Sequence, residues 1–349
     1  MSDPKCGQPE ISVILPVLNG ARTLETTLRA LRNSRFEDFE ILVVDDGSMD
    51  GTDELLLRYG VDRVIRNAEP QGPFACRNQG ADAAGAGILF YTDADVEIAP
   101  DTLDKVARHF REHQGTALIG LYGMRHPHRN PASVYKNSWI HYTYRQIAPR
   151  ADWFFTAVGA VRKSDWERAG RFDPGFRIVT GGGDIEFGHR LLSHGVEVVL
   201  DPSLEVIHHK RYSLGALLRN DLLRAYGYSL LALRIAPGKA SVKRLRIANV
   251  PSTFAMATAL AGLMLLIWPA SLAVPLLVWP AIASLLAYLA ANARFLNHVR
   301  KALSLKTSLA MVPILFLDHV AAGLGVLAAI CRRCLPGSAG PGLTKTERP

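Results

Sequence analysis

Between Ile247 and Ala293 the chain has no aspartate, glutamate, lysine, arginine or histidine. These 47 residues far exceed the roughly 20 that cross a bilayer. A buried pair of soluble helices is excluded as the first reading, because soluble helices keep a polar face. Trp268-Pro269 and Pro275 interrupt the run. The pattern predicts a hairpin with spans near 251–267 and 271–290 and a tight turn between them. A third apolar run, 307–330, holds only Asp318 and His319 as titratable groups. By sequence it can span, re-enter or lie in the interface.

Acid is scarce throughout the back of the chain. From Gly238 onward only Asp318 and Glu347 face twelve lysines and arginines, a balance of +10. The formal net charge of +8 therefore leaves −2 for residues 1–237. That asymmetry excludes a uniformly basic nucleic-acid binder and directs the positive charge to a membrane surface. Basic clusters at Lys239–Arg246 and Arg294–Lys306 flank the hairpin. By the positive-inside rule both flanks are cytoplasmic, which predicts a multi-pass inner (cell) membrane protein with its large N-terminal domain in the cytoplasm.

Residues 1–10 (MSDPKCGQPE) read as a tail without the apolar core of a secretory leader. Residues 211–246 read as a linker whose Tyr212–Arg234 stretch is an interfacial helix or a packing helix. The membrane domain is placed at 247–332 and a disordered tail at 333–349. Cysteine is also sparse: Cys6, Cys76, Cys331 and Cys334 make no disulfide framework, and Cys331-x-x-Cys334 has no second pair for zinc.

The front half lacks a GxxxxGK[ST] loop, and its Gly85-Ala-Gly87 precedes a strand, which excludes a P-loop nucleotidase and an ordinary dinucleotide-binding dehydrogenase. What is present is alternation. Strand-like runs at Ile11–Leu15, Phe39–Val44, Val61–Ile65 and Ile88–Tyr91 alternate with helical patterns at Ala21–Arg32, Thr52–Arg58, Pro73–Ala84 and Pro100–Arg111. This predicts an α/β fold, a Rossmann-like, mostly parallel sheet with helices on both faces. Ligands of such sheets sit outside the carboxyl ends of the strands. The pairs Asp45/Asp46 and Asp93/Asp95 both fall there, so both are predicted to line one crevice. There, Asp95 can hold a hard cation while Asp93 holds a sugar or ribose hydroxyl.

Four segments in order, Ile11–Asn19 (ISVILPVLN), Val43–Thr52 (VVDDGSMDGT), Gly72–Gly80 (GPFACRNQG) and Phe90–Asp95 (FYTDAD), resemble the signature of family 2 glycosyltransferases with the GT-A fold. The resemblance covers about residues 11–210. It implies a nucleotide-sugar donor of UDP or GDP type. Pro16, Val17 and Asn19 would border the base and ribose, and Asp46 would accept hydrogen bonds from the base. Arg77 would face the nucleotide, Asp93 the ribose or sugar, and Asp95, through its DxD motif, would bind Mg²⁺ or Mn²⁺. Cys76 stands where the family usually has a smaller residue and reads as a packed hydrophobe.

Further on, Gly159–Lys163, Gly170–Asp173 and Gly182–Leu191 (GGDIEFGHRL) resemble the family's acceptor side. By that resemblance Asp184 is the general base of an inverting transfer. Gly183 replaces the family's usual Glu, and an N-cap role for Asp184 is the competing reading. Glu186 and Arg190 are expected to form a helical ion pair. By the same resemblance His208 can close the site near the diphosphate as a further metal ligand. Trp153–Phe155 reads as core before acceptor platform. The Gln-x-x-Arg-Trp of processive synthases is absent.

The resulting expectation is a non-processive, metal-dependent transferase acting on a lipid or lipid-linked acceptor. The alternatives are a polyprenyl-phosphate glycosyltransferase and a non-catalytic nucleotide-sugar-binding membrane protein.

Overall fold

A computed structural model describes residues 8–176, 182–235 and 252–334. Cys6, the basic stretch Lys239–Arg246 and the tail from 335 lie outside them. The chain divides into two compact units.

Of the described residues, the first unit holds 8–129, 143–176 and 183–211. Its sheet starts from β1 (Ile11–Val17), β2 (Phe39–Asp45), β3 (Arg63–Arg66) and β4 (Ile88–Thr92), joined by α1 (Leu24–Arg32), α2 (Thr52–Tyr59) and α3 (Pro73–Ala83). These four strands are mutually parallel in the order β3-β2-β1-β4. β1 and β4 are almost wholly buried and accordingly read as near-continuous apolar runs. Leu24, Leu28 and Leu31 of α1 are fully buried, as their spacing predicts.

Beyond β4 the sheet becomes mixed. After β5 (Val96–Glu97), α4 (Thr102–Glu112) and β6 (Thr116–Tyr122), the chain passes through α5 (Pro131–Arg145) and β7 (Arg150–Ala151). β8 (Val158–Arg162) then inserts antiparallel between β4 and β6. Following α6 (Lys163–Arg168) and α7 (Gly183–Ser193), β9 (Glu197–His208) lies parallel to β6 and antiparallel to β5 and β7. Trp153, Phe154 and Phe155 are buried. They belong to the core and not to an open platform.

Of the described residues, the second unit gathers 130–142, Gly182, 212–235 and 252–334. Its helices are α8 (Leu214–Ile235), α9 (Ser252–Ala273), α10 (Val278–Ala302) and α11 (Leu305–Cys334). Among the described residues, three helices are long and apolar enough to cross a membrane: Thr253–Ala273, Pro275–Ala302 including a 3-10 turn, and Leu305–Arg332. The third run thus has the length to span.

The predicted break at Trp268-Pro269 does not occur. Pro269 lies inside α9, and the chain turns at Val274, whose extended backbone (φ −124°, ψ 97°) precedes Pro275. A residue before proline is driven out of the helical region, whereas a single lost N–H inside a membrane helix is tolerated.

α8 packs along α11. At Gly325 the helices approach so closely that a Cβ would collide with the Leu222 carbonyl, a small-residue contact of the kind membrane helices use. This supports the packing role over an interfacial one. A polar seam runs through the unit. Lys136 is ion-paired with Asp221, both side chains under a tenth exposed. Tyr135 donates to Asp318 at 2.6 Å, and Tyr288 meets His319 Nδ1 at 2.9 Å.

Candidate functional site

The carboxyl ends of β1, β2 and β4 open onto one groove of about 310 Å³. Pro16, Val17, Asn19, Asp46, Arg77, Asp93 and Asp95 all line it. The crevice predicted from strand order therefore brings together every residue assigned to the nucleotide and Asp95.

Asp45 does not join them. It is fully buried, accepts from the Ser48 amide at 2.9 Å and sits 3.2 Å from Arg66. The pair splits because successive side chains of a strand point to opposite faces; only Asp46 turns to the groove.

Three donors hold the Asp46 carboxylate. The Asn67 side chain and Gln71 amide donate to Oδ1, and the Gly72 amide donates to Oδ2, each at 2.8 Å. Burial raises this carboxyl, but the hydrogen bonds outweigh it and the net shift is downward. The set fixes the loop leading into α3, and the Cys76 thiol also hydrogen-bonds this carboxylate.

Asn19 adopts a left-handed backbone (φ 53°). Its amide donates to Ser48 Oγ at 2.8 Å and its Oδ1 accepts from the Met49 amide at 2.9 Å. The turn after β1 is thereby stitched to the turn after β2.

Arg77 is 5% exposed. Its guanidinium is committed to Asp93 Oδ1 at 2.5 Å and lies 5.5 Å from the Phe74 ring centre. Arg77 thus acts on the groove through Asp93. Cys76 lines the floor, but burial, together with the neighbouring Asp46, pushes its thiol up to about 12. It is an inert hydrophobe at neutral pH.

Asp95 faces His208, with Oδ2 to Nε2 at 3.5 Å. Burial raises the Asp95 carboxyl; the hydrogen bond and charge of His208 and the charge of Lys210 overcome this and lower it. The His208 ring is stacked on Tyr122, centroids 4.2 Å apart and 6° from parallel. Tyr122 escaped the sequence reading because nothing in its local pattern marks the end of β6 as neighbour to the end of β9.

Among the described residues no three His, Cys, Asp or Glu side chains converge to enclose a metal. Asp95 and His208 are the side chains there that could ligate a hard divalent cation, which would take its remaining ligands from phosphate oxygens and water.

Asp184 does not line the groove. It lies in the first turn of α7, inside the helix instead of at its cap, and Oδ1 accepts from the Ile185 amide at 3.1 Å. Its neighbour Gly183 packs against Phe74 of α3. A Cβ at Gly183 would stand 2.5 Å from the Phe74 ring, so this ring occupies the space that the family's glutamate stem would need. Glu186 and Arg190 pair through two contacts, at 2.5 and 2.8 Å, and Arg190 also donates to the Arg171 carbonyl at 2.5 Å. That is a structural clamp.

The sequence profile of glycosyl transferase family 2 matches residues 12–165. A validoxylamine A glucosyltransferase of Streptomyces hygroscopicus subsp. jinggangensis is 29% identical over 227 residues, covering 55% of this chain and 53% of that one. A PGL/p-HBAD biosynthesis glycosyltransferase of Mycobacterium bovis is 33% identical over 116 residues, 32% of this chain and 45% of that one. The chain spans about half the length of these curated relatives. Among solved structures, a mannosyltransferase from Pyrobaculum calidifontis, in complex with GDP-Man and Mn²⁺, superposes with a TM-score of 0.55 at 20% identity, over 92% of this chain and 88% of that one. This likeness is one of fold.

Proposed function

We propose that this chain, whose residues 12–165 match the profile of glycosyl transferase family 2, is a GT-A transferase that moves a single sugar, with inversion, from a UDP- or GDP-type nucleotide sugar to a lipid or lipid-linked acceptor at the cytoplasmic face of the cell membrane. The observation that carries the reading is the convergence of Asp46, Asp93 and Asp95 on one groove at the strand ends.

Pro16, Val17 and Asn19 border the base and ribose, and Asp46, which lines the same groove, accepts from the base. Arg77 holds Asp93 toward the ribose or sugar. Asp95 and His208 are the residues that would hold Mg²⁺ or Mn²⁺, which would offset the charge of the departing diphosphate. Asp184 takes the proton from the acceptor hydroxyl as that oxygen attacks the anomeric carbon. The three apolar helices and the basic residues after Ala293 support membrane anchoring with the domain on the cytoplasmic side.

The test is donor turnover by the purified chain in detergent. Asp184→Asn is expected to lower transfer by about 10²-fold or more while nucleotide binding persists. Asp95→Asn should lower both turnover and divalent-ion affinity. Wild-type turnover in both variants would show that these roles are misassigned.

A further inference from the structure

The first unit holds a basic corner that the proposed nucleotide site does not use. Two segments meet there, 123–129 after β6 and 206–211 at the end of β9. The Gly123 amide donates to the Val206 carbonyl at 2.9 Å, and His128 Nε2 donates to the His209 carbonyl at 3.0 Å. Within the first segment His126 Nδ1 accepts from the His128 amide at 3.1 Å. His209 is anchored in turn, its amide on the Asp95 carbonyl and its Nε2 on Glu97, each at 2.7 Å. The two segments are therefore a stapled pair, fixed against the turn that carries Asp95.

The staple brings Arg125 and Arg129 onto the same corner as Lys210 and Arg211, all four exposed. Segments 123–131 and 206–213 contain no acid, and the acids beside them, Glu205 and Glu97, are paired with Arg145 and His209. Among the described residues Arg125, Arg129 and Arg211 have no carboxylate within ion-pair distance, whereas Arg145, nearby in sequence, is paired with Glu205. This cluster stands in a front half whose net charge is −2, so it is not part of a generally basic surface. It lies beside the groove, since His209, next to Lys210 in the chain, hydrogen-bonds the Asp95 carbonyl.

Exposed guanidinium groups without carboxylate partners fit phosphate oxygens, which they bind as planar forks. We propose that Arg125, Arg129, Lys210 and Arg211 form a seat for the phosphate of a phosphorylated lipid acceptor beside the groove. The inference rests on the transferase reading for what happens to the bound lipid. A patch that only held anionic bilayer lipid would have no reason to be tied to the Asp95 turn.

The test uses the full chain in phosphatidylcholine nanodiscs, with farnesyl phosphate and farnesol as probes. The phosphate is expected to bind at least about tenfold more tightly. Arg125→Gln/Arg129→Gln should remove about tenfold or more of that binding, whereas Arg125→Lys/Arg129→Lys should keep most of it. The charge-conserving pair separates lost charge from lost folding.

Equal binding of farnesol, or unchanged binding in the Gln pair, would overturn the proposal. So would displacement of the probe by phosphatidylglycerol at equal mole fraction, which marks a bilayer contact, or by inorganic phosphate with equal affinity, which marks a free-anion site. Donor hydrolysis by the wild-type chain is measured separately. Its absence would remove the transferase reading and leave the phosphate seat to be judged by the lipid binding alone.

Discussion

Gly183 shows how much one side chain depends on its neighbour. The sequence marks it as a departure from the family pattern; the Phe74 ring explains it. Gly183→Glu is expected to destabilise the first unit by about 1–3 kcal/mol through overpacking, and Phe74→Ala in the same chain should recover part of the loss, as measured by chemical unfolding. Cys76→Ala should leave donor turnover within about twofold, and the native thiol should resist alkylation at pH 8, because burial holds it up to about 12.

Asp46 carries a pH signature. Its folded carboxyl lies below the ordinary 3.8, so its contribution to stability is complete above that value and is lost as pH falls through the folded one. Melting temperatures taken from pH 5 to 3 should therefore fall more steeply for the wild type than for Asp46→Asn. The identities of these groove residues were legible because each sits in an ordered motif at a strand end. The pairing of Arg77 with Asp93 and the stacking of Tyr122 on His208 were not, since they join residues 16 and 86 positions apart.

At the scale of elements, local patterning was a good guide wherever one face of an element is buried. The first four strands and α1 to α4 fall within a few residues of the hydrophobic periodicity. The antiparallel β8 was missed because insertion between β4 and β6 is a property of chain path and not of its own residues. The membrane turn was misplaced from Pro269 to its true position at Pro275 because two prolines compete for one break.

The Lys136–Asp221 pair of α5 and α8 offers a test of element packing. Lys136→Met alone is expected to cost about 3–5 kcal/mol, because it leaves a buried carboxylate without its counter-charge. Lys136→Met/Asp221→Leu should recover most of this. The check is thermal unfolding in detergent of both variants beside the wild type.

For the whole molecule, the helices and the basic flank lead to a different kind of expectation. Washing membranes with about 1 M salt should leave the protein in place, because salt screens charges but not buried apolar area; detergent alone should release it. Recovery of most of the protein in the salt wash would contradict a spanning anchor. Composition and periodicity determined that the chain is an α/β domain followed by apolar helices, since burial and bilayer thickness act on local runs of residues. The acidic crevice was legible too, because strand order places carboxyl ends together. Only the tertiary structure decided that Asp46 faces the groove while Asp45 is buried, that residues 130–142 join the second unit, and that the segment carrying Arg125 and Arg129 is hydrogen-bonded to the one carrying Lys210 and Arg211. Those outcomes depend on contacts between residues far apart in the chain, and no local pattern encodes which distant surface a side chain will find.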